Sequence, residues 1–114
     1  MEKPPNPERK VEKGEVIAAI RERGLGDPQV RELVSEWTLQ QEERIHGAGL
    51  KGENVVQARI IFDIDRADLY VAAGDREGAL AALEDARLQA HQENEMELYA
   101  EIMQKMDELE SFLR

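Results

Sequence analysis

The sequence predicts an all-α domain of about five antiparallel helices. Apolar residues recur at steps of three and four in successive segments, and Gly, Pro, Asp and Asn separate those segments. No segment alternates β-branched residues between turns, as a half-buried strand would. The 114 residues suit a single domain. Because aromatic residues make up only 4%, the predicted core consists of Ala, Leu, Ile, Val and Met, which are mostly good helix formers.

Residues 1–13 are predicted to be a disordered tail, and residues 14–114 a single helical domain. This segment combines Pro4, Pro5 and Pro7 with alternating charges, and apolar side chains are few. A segment of this composition cannot bury enough apolar surface to offset the entropy lost on ordering.

Two helices are predicted in the N-terminal half. The first runs from about Glu15 to Arg23 and ends at Gly24. Asp27 can cap the free amides of the next helix, and Pro28 suits its first position. The second helix ends near His46, and its apolar stripe consists of Val30, Leu33, Val34, Trp37 and Ile45.

The third predicted helix follows a Gly-rich connection, and Asn54 with Gln57 has the spacing of a capping box. This helix has two apolar faces when residues are placed at about 100° intervals. One face contains Val56, Ile60, Ile64, Ala67 and Val71, and the other contains Ala58, Phe62, Leu69 and Ala73. A helix with two apolar faces normally lies between neighbours, so we expect it at the centre of the fold.

The fourth and fifth helices complete the predicted domain. The fourth follows Gly74 and Asp75, and its small-residue face, which allows close helix approach, consists of Ala79, Ala82, Leu83, Ala86 and Ala90. Asn94 and Glu97 predict a capping box at the start of the fifth helix. The apolar residues of that helix follow a coiled-coil-like spacing and are Tyr99, Ile102, Met106, Leu109 and Leu113.

The segment from Ile60 to Glu93 resembles one tetratricopeptide repeat. The residues that carry the resemblance are Ala67, Tyr70, Gly74, Asp75, Ala79, Leu83 and Ala86. In that family a small residue and an aromatic residue precede a Gly-Asp turn, and a small, a large apolar and a small residue follow it. Asp63 departs from the usual large apolar residue, Ala67 from Gly and His91 from Pro. The resemblance implies protein or peptide binding along a concave helical surface, and no catalysis.

The net charge of −10 opposes binding to nucleic acids and to anionic membranes, since both require a cationic surface. It favours solubility, and it is also compatible with a basic partner. The chain has no cysteine, no apolar run long enough to span a bilayer and no apolar signal-peptide core at its start. We therefore predict a soluble, cytoplasmic protein.

No catalytic, cofactor-binding or metal-binding residue is predicted. The segment Gly47–Gly52 has the glycine spacing of a dinucleotide-binding loop, but a helix precedes it where that loop follows a strand. Asp63, Asp65 and Asp68 are close in sequence, yet at about 100° per residue the first two point about 160° apart and cannot share an ion. The chain is therefore predicted not to be an enzyme.

The predicted function is a protein-interaction or assembly module whose partner is another protein, a peptide or a second copy. The candidate partner surface consists of apolar residues that the helical hairpin does not use or that widen the fifth helix: Leu80, Leu88, Tyr99, Met103, Met106, Leu109 and Phe112. One alternative is a small acidic chaperone for a basic client. The other is a histidine phosphotransfer-type domain, which the segment from His46 to Lys51 faintly resembles, although the spacing between the His and the Lys differs.

Overall fold

A computed structural model describes residues 10–47 and 53–111, and these residues form five α-helices and no strand. The helices are α1 (Lys13–Arg23), α2 (Pro28–Gly47), α3 (Glu53–Ala72), α4 (Arg76–Gln92) and α5 (Met96–Ser111). The predicted all-α bundle of about five helices is confirmed. Within the described residues, no helix combines the length and the apolar character needed to cross a bilayer.

Helix α3 lies at the centre of the bundle and contacts each of the other four helices. One of its faces packs on α4 and α5 in the C-terminal cluster, whose buried members are Ile60, Ile64, Ala67, Ala79, Ala82, Leu83, Ala86, Ala90 and Ile102. The opposite face packs on α1 and α2 in the N-terminal cluster, whose buried members are Val11, Val16, Ile20, Val30, Trp37 and Leu69. The prediction of two covered faces is confirmed, except that Val71 is 44% exposed.

Residues 11–13, which lie before the predicted domain boundary, pack against the bundle. Val11 is buried in the N-terminal cluster, and its backbone N–H donates a hydrogen bond of 2.8 Å to Oε1 of Gln40. The Lys13 ammonium lies 3.0 Å from an Asp65 carboxylate oxygen and 2.7 Å from one of Asp68. The expectation of a tail without contacts therefore does not hold for residues 11–13, because an apolar side chain and ion pairs anchor them. Residues 1–9 lie outside the described residues.

The turn between α3 and α4 has the hydrogen bonds of a Schellman motif. The N–H of Gly74 donates to the Val71 carbonyl at 3.0 Å, and the N–H of Asp75 donates to the Tyr70 carbonyl at 2.9 Å. Gly74 has a φ of 75°, which glycine adopts without steric cost. The Asp75 carboxylate then accepts a 2.9 Å bond from the N–H of Gly78 and caps α4.

The turn between α4 and α5 repeats this arrangement and corrects one prediction. Asn94 has a φ of 57°. Its N–H donates to the His91 carbonyl at 3.2 Å, and the Glu95 N–H donates to the Ala90 carbonyl at 2.8 Å. Asn94 therefore terminates α4, and Glu95 is the residue that directly precedes α5 at Met96. The predicted capping box of Asn94 and Glu97 is wrong, because Asn94 is one residue too early.

The hairpin of α3 and α4 is closely packed at Gly78. A Cβ atom at this position would lie 2.7 Å from Cδ1 of Tyr70 and 2.6 Å from Oδ2 of Asp75. Both distances are shorter than van der Waals contact, so glycine allows the start of α4 to approach the end of α3.

Candidate functional site

The structure divides the predicted partner surface between exposed and packed residues. Leu88 and Met103 are exposed, with relative exposures of 48% and 42%. Leu80 is partly buried, and Phe112 lies outside the described residues. Three residues are partly buried and pack against the C-terminal cluster, namely Tyr99, Met106 and Leu109. These three side chains therefore stabilise the fold, in addition to being candidates for contact with a partner.

A groove lies between α3 and α5. The two helices run in the same direction, since Gln57 contacts Glu95 and Asp68 contacts Lys105. It encloses about 260 Å³. Buried Ala67 of α3 and buried Leu83 of α4 form its floor. The remaining lining residues of this α3/α5 groove are Asp68, Val71, Lys105, Glu108 and Leu109. Ala67 and Leu83 are each 1% exposed, so the accessible apolar surface of the groove comes mainly from Val71, which is 44% exposed.

Two polar contacts join α3 to α5 or to the residue directly before it. The Gln57 amide donates to both carboxylate oxygens of Glu95, at 3.3 and 3.2 Å. The Lys105 ammonium lies 3.5 Å from Oδ1 of Asp68. Gln57 and Asp68 are about three helical turns apart on α3, so the two contacts hold the helices together at two well-separated points along their length. The predicted capping box of Asn54 and Gln57 is wrong, since Asn54 lies within α3 and Gln57 bonds to Glu95.

The charge along the groove differs between its two walls. On the α3 wall, Asp68 contacts both Lys13 and Lys105. On the α5 wall, Glu108 accepts a bond of 3.3 Å from the Gln104 amide and has no ion-pair partner among the described residues. Helix α5 carries five acidic residues and one lysine. Its wall is therefore acidic, while the α3 wall is largely neutralised.

The three aspartates of α3 contact basic side chains. Asp65 and Asp68 share Lys13, and Oδ1 of Asp63 lies 3.5 Å from the Arg66 guanidinium. Burial alone would lower the pKa of Lys13, but its hydrogen bonds to Asp68 and Asp65 outweigh that effect and raise it. Asp65 and Asp68 thus tie α1 to α3, whereas Asp63 pairs with a residue of its own helix.

Asp63→Asn is expected to stabilise the fold at pH 7. Burial raises the pKa of the Asp63 carboxyl above its ordinary value of 3.8; the charge of Arg66 opposes this shift, and that of Asp85 adds to it. The folded state consequently binds more protons than the unfolded state between the two pKa values, so wild-type stability falls as pH rises through the folded pKa. The stabilising effect of Asp63→Asn is therefore present at pH values above the pKa of Asp63 in the folded state, and it disappears below pH 3.8.

Urea unfolding of both proteins at pH 7 and at acidic pH measures this difference. Asp107→Asn, at an exposed position on α5, is the matched control and should change little at either pH. A loss of stability in Asp63→Asn that is equal at both pH values would contradict the role of burial.

A second pocket, of about 420 Å³, lies between α2 and α3. The Trp37 and Phe62 ring centroids are 5.6 Å apart, and the Arg66 guanidinium lies 5.9 Å from the Phe62 centroid. Sequence reasoning missed this pocket. The available signal was the spacing of Phe62, Arg66 and Tyr70, which are four residues apart and form one ridge of α3.

His46, on which the phosphotransfer alternative depends, is exposed in the last turn of α2. Its Nε2 atom lies 3.3 Å from the Arg59 guanidinium. Lys51 lies outside the described residues, so the predicted relation between His46 and Lys51 stays a prediction.

Comparisons with protein-family models, with curated proteins and with solved structures found no match for this chain. The tetratricopeptide resemblance consequently depends on the residues between Ile60 and Glu93 alone. The α3/α5 groove and its charges are the physical basis for assigning a function.

Proposed function

We propose that this protein is an interaction or assembly module that binds another protein or a peptide in the α3/α5 groove. The observation that carries the proposal is an exposed apolar side chain, that of Val71, in a groove between two parallel helices. Val71 is 44% exposed beside buried Ala67 and Leu83, although its side chain is fully apolar. Protein partners are commonly bound by apolar grooves with polar rims, into which an amphipathic helix inserts its apolar side chains.

The lining of the groove favours packing over catalysis. Of the three charged residues that line it, Asp68 and Lys105 contact each other, and Glu108 is exposed. The set contains no hydroxyl or thiol nucleophile, and the Asp68 carboxylate is held in ion pairs with two lysines. The groove volume of about 260 Å³ is also smaller than the roughly 300–1,000 Å³ typical of small-molecule pockets.

Tetratricopeptide-like packing of α3 and α4 is part of the proposal. Support comes from the burial of Ala67, Ala79, Leu83 and Ala86 between the two helices and α5, at the positions that carry the resemblance. The tight turn at Gly74 adds to that support. In such packing α5 stands beside α3, and the groove lies between them. A cytoplasmic location stays a prediction.

Val71→Arg is expected to abolish partner binding while the helical fold persists. The arginine would fill the groove with a long charged side chain, and Val71 is exposed enough for the bundle to tolerate the change. Val71 suits this test better than Leu109, which packs against the C-terminal cluster. Co-purification from the native host, quantified by mass spectrometry, compares the proteins captured by the variant and by the wild type.

Leu39→Arg is the matched control. Leu39 is 58% exposed on α2, away from the groove, and this substitution changes the net charge by the same amount. Partners retained by Leu39→Arg and lost by Val71→Arg would support the groove. Equal retention by both variants would contradict it. Sedimentation of the purified wild type at several concentrations identifies a second copy as the partner.

A further inference from the structure

We propose that the occupant of the α3/α5 groove is a basic amphipathic helix of another protein. This inference rests on the proposed function and adds the chemical class of the partner. It is based on three observations: the acidic α5 wall, the neutralised α3 wall and the exposed apolar side chain of Val71 in the groove.

The α5 wall carries acidic residues in a line. Glu97, Glu101 and Glu108 are four and seven residues apart, so about 100° per residue places all three on the side of α5 that Glu108 presents to the groove. All three are exposed. None forms an ion pair with another of the described residues. Their charges are therefore available to a basic partner.

The charge balance of the α3 wall determines which side of the groove attracts basic residues. Asp68 is held between the Lys13 and Lys105 ammonium groups, at 2.7 and 3.5 Å, so its charge is already balanced. A partner's lysines and arginines are consequently attracted to the α5 side of the groove. The partner is thus a helix with an apolar stripe for the floor and basic residues along one flank of that stripe.

The net charge opposes a second copy of this chain as the occupant. The chain has a net charge of −10, and two copies repel each other over the surfaces that they would bring together. A nucleic acid or an anionic membrane is repelled for the same reason. A basic helix relieves the repulsion within the α5 wall and buries the exposed part of Val71.

The test uses two synthetic helical peptides with the same leucines at positions i, i+3, i+4 and i+7, one with lysine and one with glutamate at the remaining positions. Fluorescence anisotropy of labelled peptide with the full chain measures affinity at low and at high salt. We expect the lysine peptide to bind, with an affinity that falls as salt rises, and the glutamate peptide not to bind. Backbone amide shifts on titration should concentrate at Val71 and Leu109.

Glu101→Lys/Glu108→Lys should weaken binding of the lysine peptide about tenfold. The matched control is Glu32→Lys/Glu43→Lys, two exposed positions on α2 with the same change in net charge. We expect the control to keep most of the affinity. An equal loss in both double variants, equal binding of the two peptides, or shifts confined to α1 and α2 would overturn the inference.

Failure of this inference is distinguishable from failure of the proposed function. If the lysine peptide does not bind and capture of the native partner still depends on Val71, the groove is an interaction site and the basic class is wrong. If capture of the native partner is insensitive to Val71→Arg, the proposed function itself is wrong.

Discussion

Ala86→Glu is expected to destabilise the folded state by roughly 4 kcal/mol, because a longer charged side chain would enter a fully packed interface. Ala86 has a relative exposure of 0% and belongs to the C-terminal cluster. Helix α4 packs against both α3 and α5, so a glutamate cannot reach solvent without separating helices. Since small domains have unfolding free energies of about 5–15 kcal/mol, a large part of the stability is lost.

Urea unfolding followed by circular dichroism measures the effect of Ala86→Glu, and Ala81→Glu is its matched control. Ala81 is exposed on the same helix, and the substitution makes the same changes in charge and in helix propensity. We expect the control to remain within about 0.5 kcal/mol of the wild type. If the two variants unfold at the same urea concentration, Ala86 does not face the helix interface.

The small-residue face of α4 could be predicted from the sequence because its spacing is regular and its neighbours are consecutive in the chain. Ala79, Leu83 and Ala86 repeat at steps of four and three, and short turns on both sides of α4 leave the adjacent helices little choice of position. The two covered faces of α3 could be predicted from the same kind of regular spacing. Local periodicity and turn residues were sufficient for these parts of the fold.

Asn94 and Val71 differ in the structure from what spacing and composition predict. Asparagine suits both a helix N-cap and the left-handed position that ends a helix, so composition alone could not decide which role Asn94 has. Val71 shares a face with Ile60 and Ile64, which predicted burial, but it is 44% exposed beside the groove. Periodicity shows which way a side chain points and not which element covers it.

Val11 and the groove itself depend on contacts between residues distant in sequence. The first residues are rich in proline and charge, which predicted a tail, but burial of Val11 depends on α2 and on the Gln40 side chain. Likewise, the contact of Gln57 with Glu95 joins residues 38 positions apart. The acidic wall of α5 was visible in the sequence as net charge, but its position beside an apolar floor was not.

The N-terminal cluster provides a test of whether the two halves of the bundle fold together. Trp37 is 2% exposed, and its ring centroid lies 5.6 Å from that of Phe62 on α3. It is the largest side chain in the cluster that attaches α1 and α2 to α3. The C-terminal cluster contains no residue of α1 or α2 among its buried members. The two clusters are therefore connected through α3.

Trp37→Ala is expected to cost about 3–5 kcal/mol, because it removes a fully buried aromatic side chain and leaves a cavity. Hydrogen exchange should show a greater loss of protection in α1 and α2 than in α4 and α5, since only the former depend directly on the N-terminal cluster. Thermal melting followed by circular dichroism measures the overall loss. Leu39→Ala, at a residue 58% exposed two positions further along α2, is the control and should melt near the wild-type temperature. An unchanged melting temperature for Trp37→Ala would place the indole outside the core. A uniform loss of protection from hydrogen exchange over all helices would show that the two clusters unfold as one unit.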